Sequence, residues 1–329
     1  MKHVVVSLAC AILAATAMQS VFAQGTNWAD ATNAAPWSTR YLLGALALNG
    51  QMWVMGGDTP GLVNDVWSSS NGVTWTEVLT NAPWSARRAF GTVVLNGQMW
   101  VMGGEGKADI FFNDVWSSSN GVTWVEETHS APWSRRFGLG AVAFNGQIWV
   151  MGGYKPHVLY DDVWSSSNGV TWTEVTNAAP WSARAYPGAV ALNGKMWIMG
   201  GHKGNSCLND VWSSSNGVTW VLVTNSAPWT ARESFGAVAL NGQMWVMGGV
   251  GNGEVLFNDV WSSSNGVTWV EETNSAPWIA RCDFGAVPLN GQMWVMGGND
   301  GCGPLNDVWS FQFTTNNWSR IPPARNGKP

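Results

Sequence analysis

A short motif recurs six times along this chain at a nearly constant spacing. The motif is Trp-Val-Met-Gly-Gly, with Ile in place of Val once, and successive copies lie 47 to 49 residues apart. The copies begin at Trp53, Trp100, Trp149, Trp197, Trp245 and Trp294, and a second motif, Asp-Val-Trp, follows them at Asp65, Asp114, Asp162, Asp210, Asp259 and Asp307. Self-similarity at this period indicates a repeat architecture in which each copy forms one structural unit. Because the copies can be compared with one another, function is expected to reside at the positions where they differ.

The first repeat predicts four short strands. They cover 44–48, 51–55, 65–68 and 74–78 and are called strands a to d. Asn-Gly pairs separate a from b and c from d, which favours tight hairpins because both residues tolerate positive φ. Strands a and b are apolar on both faces and c and d are more polar, as in a propeller blade whose inner strands are covered on both sides. The sequence therefore predicts an all-β fold, a six-bladed β-propeller of four-stranded antiparallel blades.

The repeats resemble kelch repeats, of the kind found in exported bacterial propellers. A Gly-Gly doublet closes an apolar strand, aromatic residues follow in strands c and d, and a Pro-x-x-x-Arg element precedes the next repeat, as at Pro83 to Arg87. The resemblance implies one propeller domain over 24–329, with a ring closed by a blade shared between the chain ends. Residues 26–32 and 316–321 both resemble strand d, and either segment would complete that blade. The repeats are centred on Gly56, Gly103, Gly152, Gly200, Gly248 and Gly297.

The c–d turn also resembles the Asp-box of sialidase-like propellers. Its sequence is Ser-Ser-Ser-Asn-Gly-Val-Thr-Trp, with Ser70 at the position where that motif has Asp. We interpret this likeness as structural.

The first 23 residues predict a secretory signal peptide. Lys2 and His3 precede an apolar run, and Val21-Phe22-Ala23 offers a cleavage site before Gln24. The expected location is secreted or periplasmic. Because the run is too short to span a bilayer and no later segment is longer, membrane insertion is not expected.

The composition and motifs limit the classes of partner and cofactor that this chain is expected to bind. The net charge is −5 and no basic block occurs, which argues against a nucleic-acid partner. No Ser-His-Asp spacing, phosphate loop or metal-ligand cluster is recognisable, so neither metal nor cofactor is predicted. His157 and His202 lack a third ligand.

One face of the predicted ring varies between copies. The a–b and c–d turns are nearly constant, whereas the b–c and d–a connections differ, which favours recognition through the variable face. The leading hypothesis is a recognition module that binds a glycan or protein surface there, without catalysis and in an undetermined oligomeric state. Its candidate ligand-binding residues are Tyr41, Phe137, Tyr154, Tyr160, Tyr186 and His202.

The alternative hypothesis is a sugar-processing enzyme. Two positions that follow a recurring Arg vary completely, and resemblance to propellers places them at the channel mouth. Glu233 and Asp283 fall there in adjacent blades with Arg88 across the mouth, a set suited to acid–base chemistry on a sugar. Resemblance to bacterial sialic-acid epimerases (mutarotases) would make either acid the base, with Arg88 or Arg232 as carboxylate anchor. Plugging of the mouth by Phe90, Phe235 and Phe284 would remove this site. A third hypothesis is a self-associating envelope component.

Other recurring residues allow two interpretations. The six arginines Arg40, Arg87, Arg136, Arg184, Arg232 and Arg281 either hold an anion or, as is thought for kelch arginines, bond backbone carbonyls or neighbouring blades. The loop tryptophans Trp37, Trp84, Trp133, Trp181, Trp229 and Trp278 either stack on sugars or pack between blades. Cys282 and Cys302 share a blade and are candidates for a disulfide in an oxidising compartment, which leaves Cys207 as the free thiol.

Overall fold

A computed structural model describes residues 28–313, which form six antiparallel four-stranded blades around one axis. This confirms the predicted propeller. Strands a to d are Gly44–Leu48, Gln51–Thr59, Gly61–Ser69 and Thr76–Leu79 in blade 1; Gly91–Leu95, Gln98–Met102, Val115–Ser118 and Val125–Thr128 in blade 2; Gly140–Phe144, Gln147–Met151, Val163–Ser166 and Thr173–Thr176 in blade 3; Gly188–Leu192, Lys195–Met199, Val211–Ser214 and Val221–Thr224 in blade 4; Gly236–Leu240, Gln243–Gly251, Leu256–Ser263 and Val270–Thr273 in blade 5; and Gly285–Leu289, Gln292–Asn299, Pro304–Gln312 and Trp28–Thr32 in blade 6.

Short elements decorate the loops of the variable face. Blade 3 carries the hairpin Tyr154–Lys155 with Val158–Leu159, and blade 4 carries His202–Lys203 with Ser206–Cys207. In blade 5 the segment Arg232–Glu233 extends the sheet. A 3₁₀ turn covers Lys107–Asp109 in blade 2. No helix among residues 28–313 has the length and apolar character needed to cross a bilayer.

The N-terminal strand closes the ring. Trp28–Thr32 pairs antiparallel with Pro304–Gln312, and Trp28 lies opposite Phe311. Of the two segments that resembled strand d, the first therefore completes blade 6. The second, 316–321, lies outside the described residues.

The hydrophobic core is divided into six clusters, each shared by two neighbouring blades. In the cluster between blades 1 and 2, Trp84 meets Trp124 edge to face at 5.9 Å. The equivalent loop tryptophans of all six blades are no more than 1% exposed. They therefore pack between blades, and they are unavailable to a sugar.

The blades also interlock through the c–d turns. Gly121 has φ +71, and a Cβ at this glycine would lie 2.2 Å from the Trp53 ring of the preceding blade. Five c–d turns meet a strand-b tryptophan in this way, through Gly72, Gly121, Gly169, Gly217 and Gly266. In blade 6, Phe313 instead contacts Trp245, at 5.2 Å.

Each recurring arginine joins two blades. The Arg136 side chain is fully buried, and its guanidinium donates to both carboxylate oxygens of Asp162, at 2.5 and 2.7 Å, and to the carbonyl of Gly152 at 2.9 Å. Its backbone N–H donates to Phe112 of the preceding blade. The same pairing occurs in every blade, as Arg40–Asp65, Arg87–Asp114, Arg136–Asp162, Arg184–Asp210, Arg232–Asp259 and Arg281–Asp307. Because all six guanidinium groups are buried and already neutralised, the anion-binding interpretation is wrong. The same pairing leaves Arg232 unable to anchor a carboxylate.

One blade departs from a repeated hydrogen bond. Asn64 donates its side-chain amide to the carbonyls of Ala82 and Trp84, at 2.8 and 3.0 Å, and four other blades repeat this with Asn113, Asn209, Asn258 and Asn306. Blade 3 has Asp161 at this position, and burial raises the pKa of its carboxyl. An ionised carboxylate cannot donate to these carbonyls.

Asp161→Asn is therefore expected to stabilise the protein by about 1 kcal/mol, the net value of a typical hydrogen bond. Asn209→Asp, the reverse change in blade 4, should destabilise it by a similar amount. Chemical denaturation of both variants measures the two effects. An Asp161→Asn variant no more stable than the parent would contradict the prediction.

Candidate functional site

The variable face is built from one pair of residues per blade. In each blade, the residue after the recurring arginine forms an antiparallel bridge with the residue after the Gly-Gly doublet. The six pairs are Tyr41 with Asp58, Arg88 with Glu105, Phe137 with Tyr154, Ala185 with His202, Glu233 with Val250, and Cys282 with Asn299. The first member of each pair follows the recurring arginine, a position recognised as variable from the sequence, whereas most second members were treated only as loop residues. The sequence does distinguish these second members, because the Gly-Gly doublet is constant and the residue after it differs in all six copies.

A closed ring of backbone hydrogen bonds surrounds the axis next to these pairs. Each ring residue donates its N–H to the carbonyl of its equivalent in the preceding blade, at 2.7 to 3.4 Å. All six have positive φ, between 51° and 60°. The ring consists of Leu42, Ala89, Gly138, Tyr186, Ser234 and Asp283. The variable residues just before them in sequence therefore surround a common centre.

The channel is not filled beside this ring. Phe90, Phe235 and Phe284 pack in the seams between blades, each 6.0 Å from a loop tryptophan. The Phe90 ring lies so close to Gly44 of the preceding blade that a Cβ there would be 2.5 Å from it. A cavity of about 150 Å³ remains between these rings and the backbone ring. The three phenylalanines line the channel without collapsing it.

Five aromatic rings of blades 2 to 4 form an aromatic cluster at the mouth. Phe137 stacks on Phe111 at 5.3 Å and meets Tyr154 and Tyr186 edge to face at 5.2 and 6.1 Å. His202 stacks on Tyr186 at 5.9 Å. All five rings are half-buried, so each keeps some exposed surface. Four of the six predicted ligand-binding residues thus come together, and Phe111 joins them without having been predicted.

The other two predicted residues lie elsewhere. The Tyr41 hydroxyl donates to Asp58 at 3.1 Å and belongs to a charged cluster in blades 1 and 2. The Tyr160 ring covers the buried Arg136 guanidinium at 3.9 Å, and its hydroxyl is buried without a hydrogen-bond partner. This side chain thus shields an inter-blade ion pair outside the aromatic cluster, and a ligand-binding role for Tyr160 stays a prediction.

Arg88 is the centre of the charged cluster. Its guanidinium donates to Asp58 at 2.5 Å and to both carboxylate oxygens of Glu105 at 3.1 Å. Two carboxylates thus share one cation. A ligand carboxylate could use Arg88 as an anchor only by displacing one of them.

The part of the channel mouth formed by blades 5 and 6 contains the two predicted acidic residues, Glu233 and Asp283. The Glu233 carboxylate contacts the His202 ring, and both side chains are about one fifth exposed, at 24% and 19%. Asp283 accepts a hydrogen bond from the Cys282 thiol at 3.3 Å. The pKa of Asp283 is raised to about 6, mainly by burial and also by nearby Glu233. Hydrogen bonds from Ser234 and Cys282 and the charge of Arg88 act in the opposite direction and lower it. Burial, Asp283 and Glu233 also raise the pKa of the Tyr186 hydroxyl. Glu233 and Arg88 therefore both lie near enough to Asp283 to act on its carboxyl.

Comparison with known proteins assigns the family. A model described as the KLHDC2/KLHL20/DRC7 Kelch-repeats domain matches residues 45–215 and 118–265, and a Kelch motif model matches 280–325. The chain belongs to the kelch-repeat family. A solved structure described as "Structure of YjhT" superposes on this kelch protein with a TM-score of 0.73 and 17% identity, covering 87% of this chain and 98% of that chain. That likeness shows the shared fold. No curated protein matches the sequence.

The three cysteines in the described part of this kelch protein are not bridged. Cys207, Cys282 and Cys302 are all free, so the predicted Cys282–Cys302 disulfide is wrong for this structure. The Cys282 thiol faces Asp283 at the mouth, and burial raises its pKa. Cys302 is exposed in a loop turn, where its N–H donates to Asp300. The two thiols are thus held in different surroundings within blade 6.

Within 28–313, no three His, Cys, Asp or Glu side chains are grouped so that they could hold a metal ion. His157 is exposed on the blade 3 hairpin, and His202 is engaged with Glu233.

Asp283→Asn is expected to stabilise the kelch domain at pH 7. Because the pKa of Asp283 is raised to about 6, the folded state holds this proton more tightly than the unfolded state does. The carboxyl's contribution to stability therefore falls as pH rises from about 4 to 6 and stays low above that range. Near pH 4 the variant should have nearly the parent's stability.

Chemical denaturation at the two pH values measures this difference. Asp109→Asn, which changes an exposed carboxylate on the same face, is the matched control and should show no such pH-dependent gain. A loss of stability at pH 7 in Asp283→Asn would contradict the prediction.

Proposed function

We propose that this kelch protein is an exported recognition module that binds a glycan or a protein surface through its variable face, without catalysis. Export is proposed from the signal-like pattern of residues 1–23, which lie outside the described part of the chain. The recognition surface is proposed from the pairs that surround the axis. They differ in every blade, while the ion pairs and turns of the scaffold repeat.

The aromatic cluster is the observation that carries this proposal. Aromatic rings bind the apolar faces of sugar rings, and neighbouring polar groups fix orientation through the hydroxyls. Here Phe137, Tyr154 and Tyr186 lie beside Glu233 and the other polar residues of the mouth. This combination favours a glycan over a flat protein surface.

A glycan array followed by titration of the bound glycan tests the proposal. Tyr154→Ala is expected to weaken binding at least about tenfold, because it removes a ring from the centre of the cluster. Val218→Ala, on the exposed c–d turn of blade 4, is the control and should bind like the parent. Thermal denaturation should show both variants folded. An array without hits, together with no effect of Tyr154→Ala on any partner found, would refute the module.

Acid–base chemistry on a sugar is the second candidate function. It is favoured by one observation: Glu233 and Asp283 face the same mouth in different environments, one beside His202 and the other with a pKa of about 6. Carboxyl groups held in contrasting environments are typical of acid–base pairs. The engagement of Arg88 by Asp58 and Glu105 weighs against an anionic sugar as substrate.

Glu233→Gln separates the two functions. NMR exchange spectroscopy on candidate sugars measures anomer interconversion or epimerisation by the parent protein and by the variant. A recognition module predicts no turnover above background in either protein. Turnover that Glu233→Gln abolishes would establish the enzyme and overturn the module without catalysis.

A further inference from the structure

We infer that the ligand of the variable face is a glycan carrying a free, protonated amino group. This inference rests on the proposed function, and it specifies the charge of the ligand. It is carried by the way in which carboxylates and aromatic rings share the channel mouth.

The mouth holds more negative than positive charge. Arg88 is shared by Asp58 and Glu105, so this triad keeps one net negative charge. Among ionisable groups, only the imidazole of His202 lies within hydrogen-bond distance of Glu233. Asp283 interacts with two neutral groups, the hydroxyl of Ser234 and the thiol of Cys282.

The other cations of this face do not restore the balance. The six recurring arginines are buried in their own ion pairs. The Lys155 ammonium lies 6.0 Å from the ring of Tyr160, and with Arg135 it lines a groove beside Asp109 and Phe111 that includes neither Asp283 nor Glu233. Lys107 and Lys203 are exposed on loops. An anionic ligand would therefore meet like charge at the mouth, and an uncharged one would leave Asp283 without a counter-ion.

The aromatic cluster adds a second preference for a cation. Tyr186 belongs to the backbone ring together with Asp283, and the ionised Asp283 and Glu233 both act on its hydroxyl. A cation gains from the negative face of an aromatic ring as well as from a carboxylate, most strongly where water is excluded. An ammonium on a sugar ring would meet both groups, while the ring itself would stack on Phe137 or Tyr154.

Three oligosaccharides of equal length test the inference by calorimetric titration at neutral pH. They are a glucosamine oligomer with free amines, its fully N-acetylated counterpart and a galacturonate oligomer. We expect the amine form to bind at least about tenfold more tightly than the acetylated form, and its affinity to fall as salt is added. Asp283→Asn should remove this preference, whereas Glu254→Gln, a change at an exposed carboxylate of the blade 5 loop, should keep it.

The outcomes separate this inference from the proposed function. Equal or tighter binding of the acetylated or galacturonate oligomer overturns the cationic ligand and leaves glycan recognition standing. An amine preference that survives in Asp283→Asn, Glu233→Gln and their double variant overturns the assigned site. If none of the three oligosaccharides binds but the array finds another glycan, the inference of a cationic ligand fails and glycan recognition stands. If the array finds no glycan either, both the inference and the glycan-binding function fail.

Discussion

Arg136→Met is expected to lower the free energy of unfolding by about 3–5 kcal/mol, the usual cost of removing one partner from a buried ion pair. Arg135→Met, one residue earlier on an exposed side chain, should change it by no more than about 0.5 kcal/mol. The difference arises because Arg136 is buried against Asp162, the carbonyl of Gly152 and the Tyr160 ring. Met fills part of the space but leaves the Asp162 carboxylate with only the indole N–H of Trp164.

Denaturant unfolding, followed through tryptophan fluorescence, measures both variants. The double variant Arg136→Met, Asp162→Leu should recover part of the loss, because no unpaired carboxylate then remains. If Arg136→Met were as mild as Arg135→Met, the ion pairs would not be the joints between blades. A double variant worse than the sum of its single changes would argue that packing, rather than charge, dominates at this position.

Trp28→Ala is expected to destabilise the protein by about 3–5 kcal/mol, as large-to-small changes at buried aromatic residues do. Trp28 is the first described residue of the closing strand. It packs against Trp278 at 5.9 Å and Phe311 at 5.3 Å, and thereby joins blade 6 to the seam with blade 5. Its loss weakens the contact by which the N-terminal segment holds the last blade.

Asp30→Ala is the matched control, since Asp30 lies on the same strand with an exposed side chain. It should shift the unfolding midpoint little. Hydrogen exchange adds a local measure, because Trp28→Ala should reduce protection in blade 6 before blades 2 to 4 lose theirs. Uniform loss of protection in all blades would contradict a closure that depends on this strand.

The repeats were sufficient to predict the fold and most of its turns. Asn-Gly pairs stand at all six a–b turns, where Asn49 and its equivalents adopt positive φ, and strand b is almost wholly buried. The choice of closing strand was not predictable, because 26–32 and 316–321 carry the same pattern and only pairing with Pro304–Gln312 separates them. The arginine–aspartate pairs were also missed, although both residues recur in every copy. Arg136 and Asp162 stand 26 positions apart, and only the folded geometry brings them together.

The candidate site was predictable in part. Variation after the recurring arginine identified Phe137 and Glu233, but the equally variable position after Gly-Gly was not read as its bridge partner, so Asp58 and Glu105 were overlooked. Tyr160 has a structural role that was not predicted from the sequence. A tyrosine in a variable loop suggested a ligand contact, whereas the same position in blades 2 and 5 holds Phe112 and Phe257, which also cover buried guanidinium groups. Comparing the copies at that position would have indicated shielding.

The central ring of N–H and carbonyl contacts uses no side-chain atoms, and this has a consequence for how such a molecule can change. Its six members include an acid, a phenol, an alcohol and a glycine, and none of them is β-branched, which fits their shared left-handed backbone. Any residue that tolerates this backbone can therefore replace another without disturbing the hub. A chain built by copying one unit can thus acquire new chemistry one blade at a time, with its mechanical centre left intact.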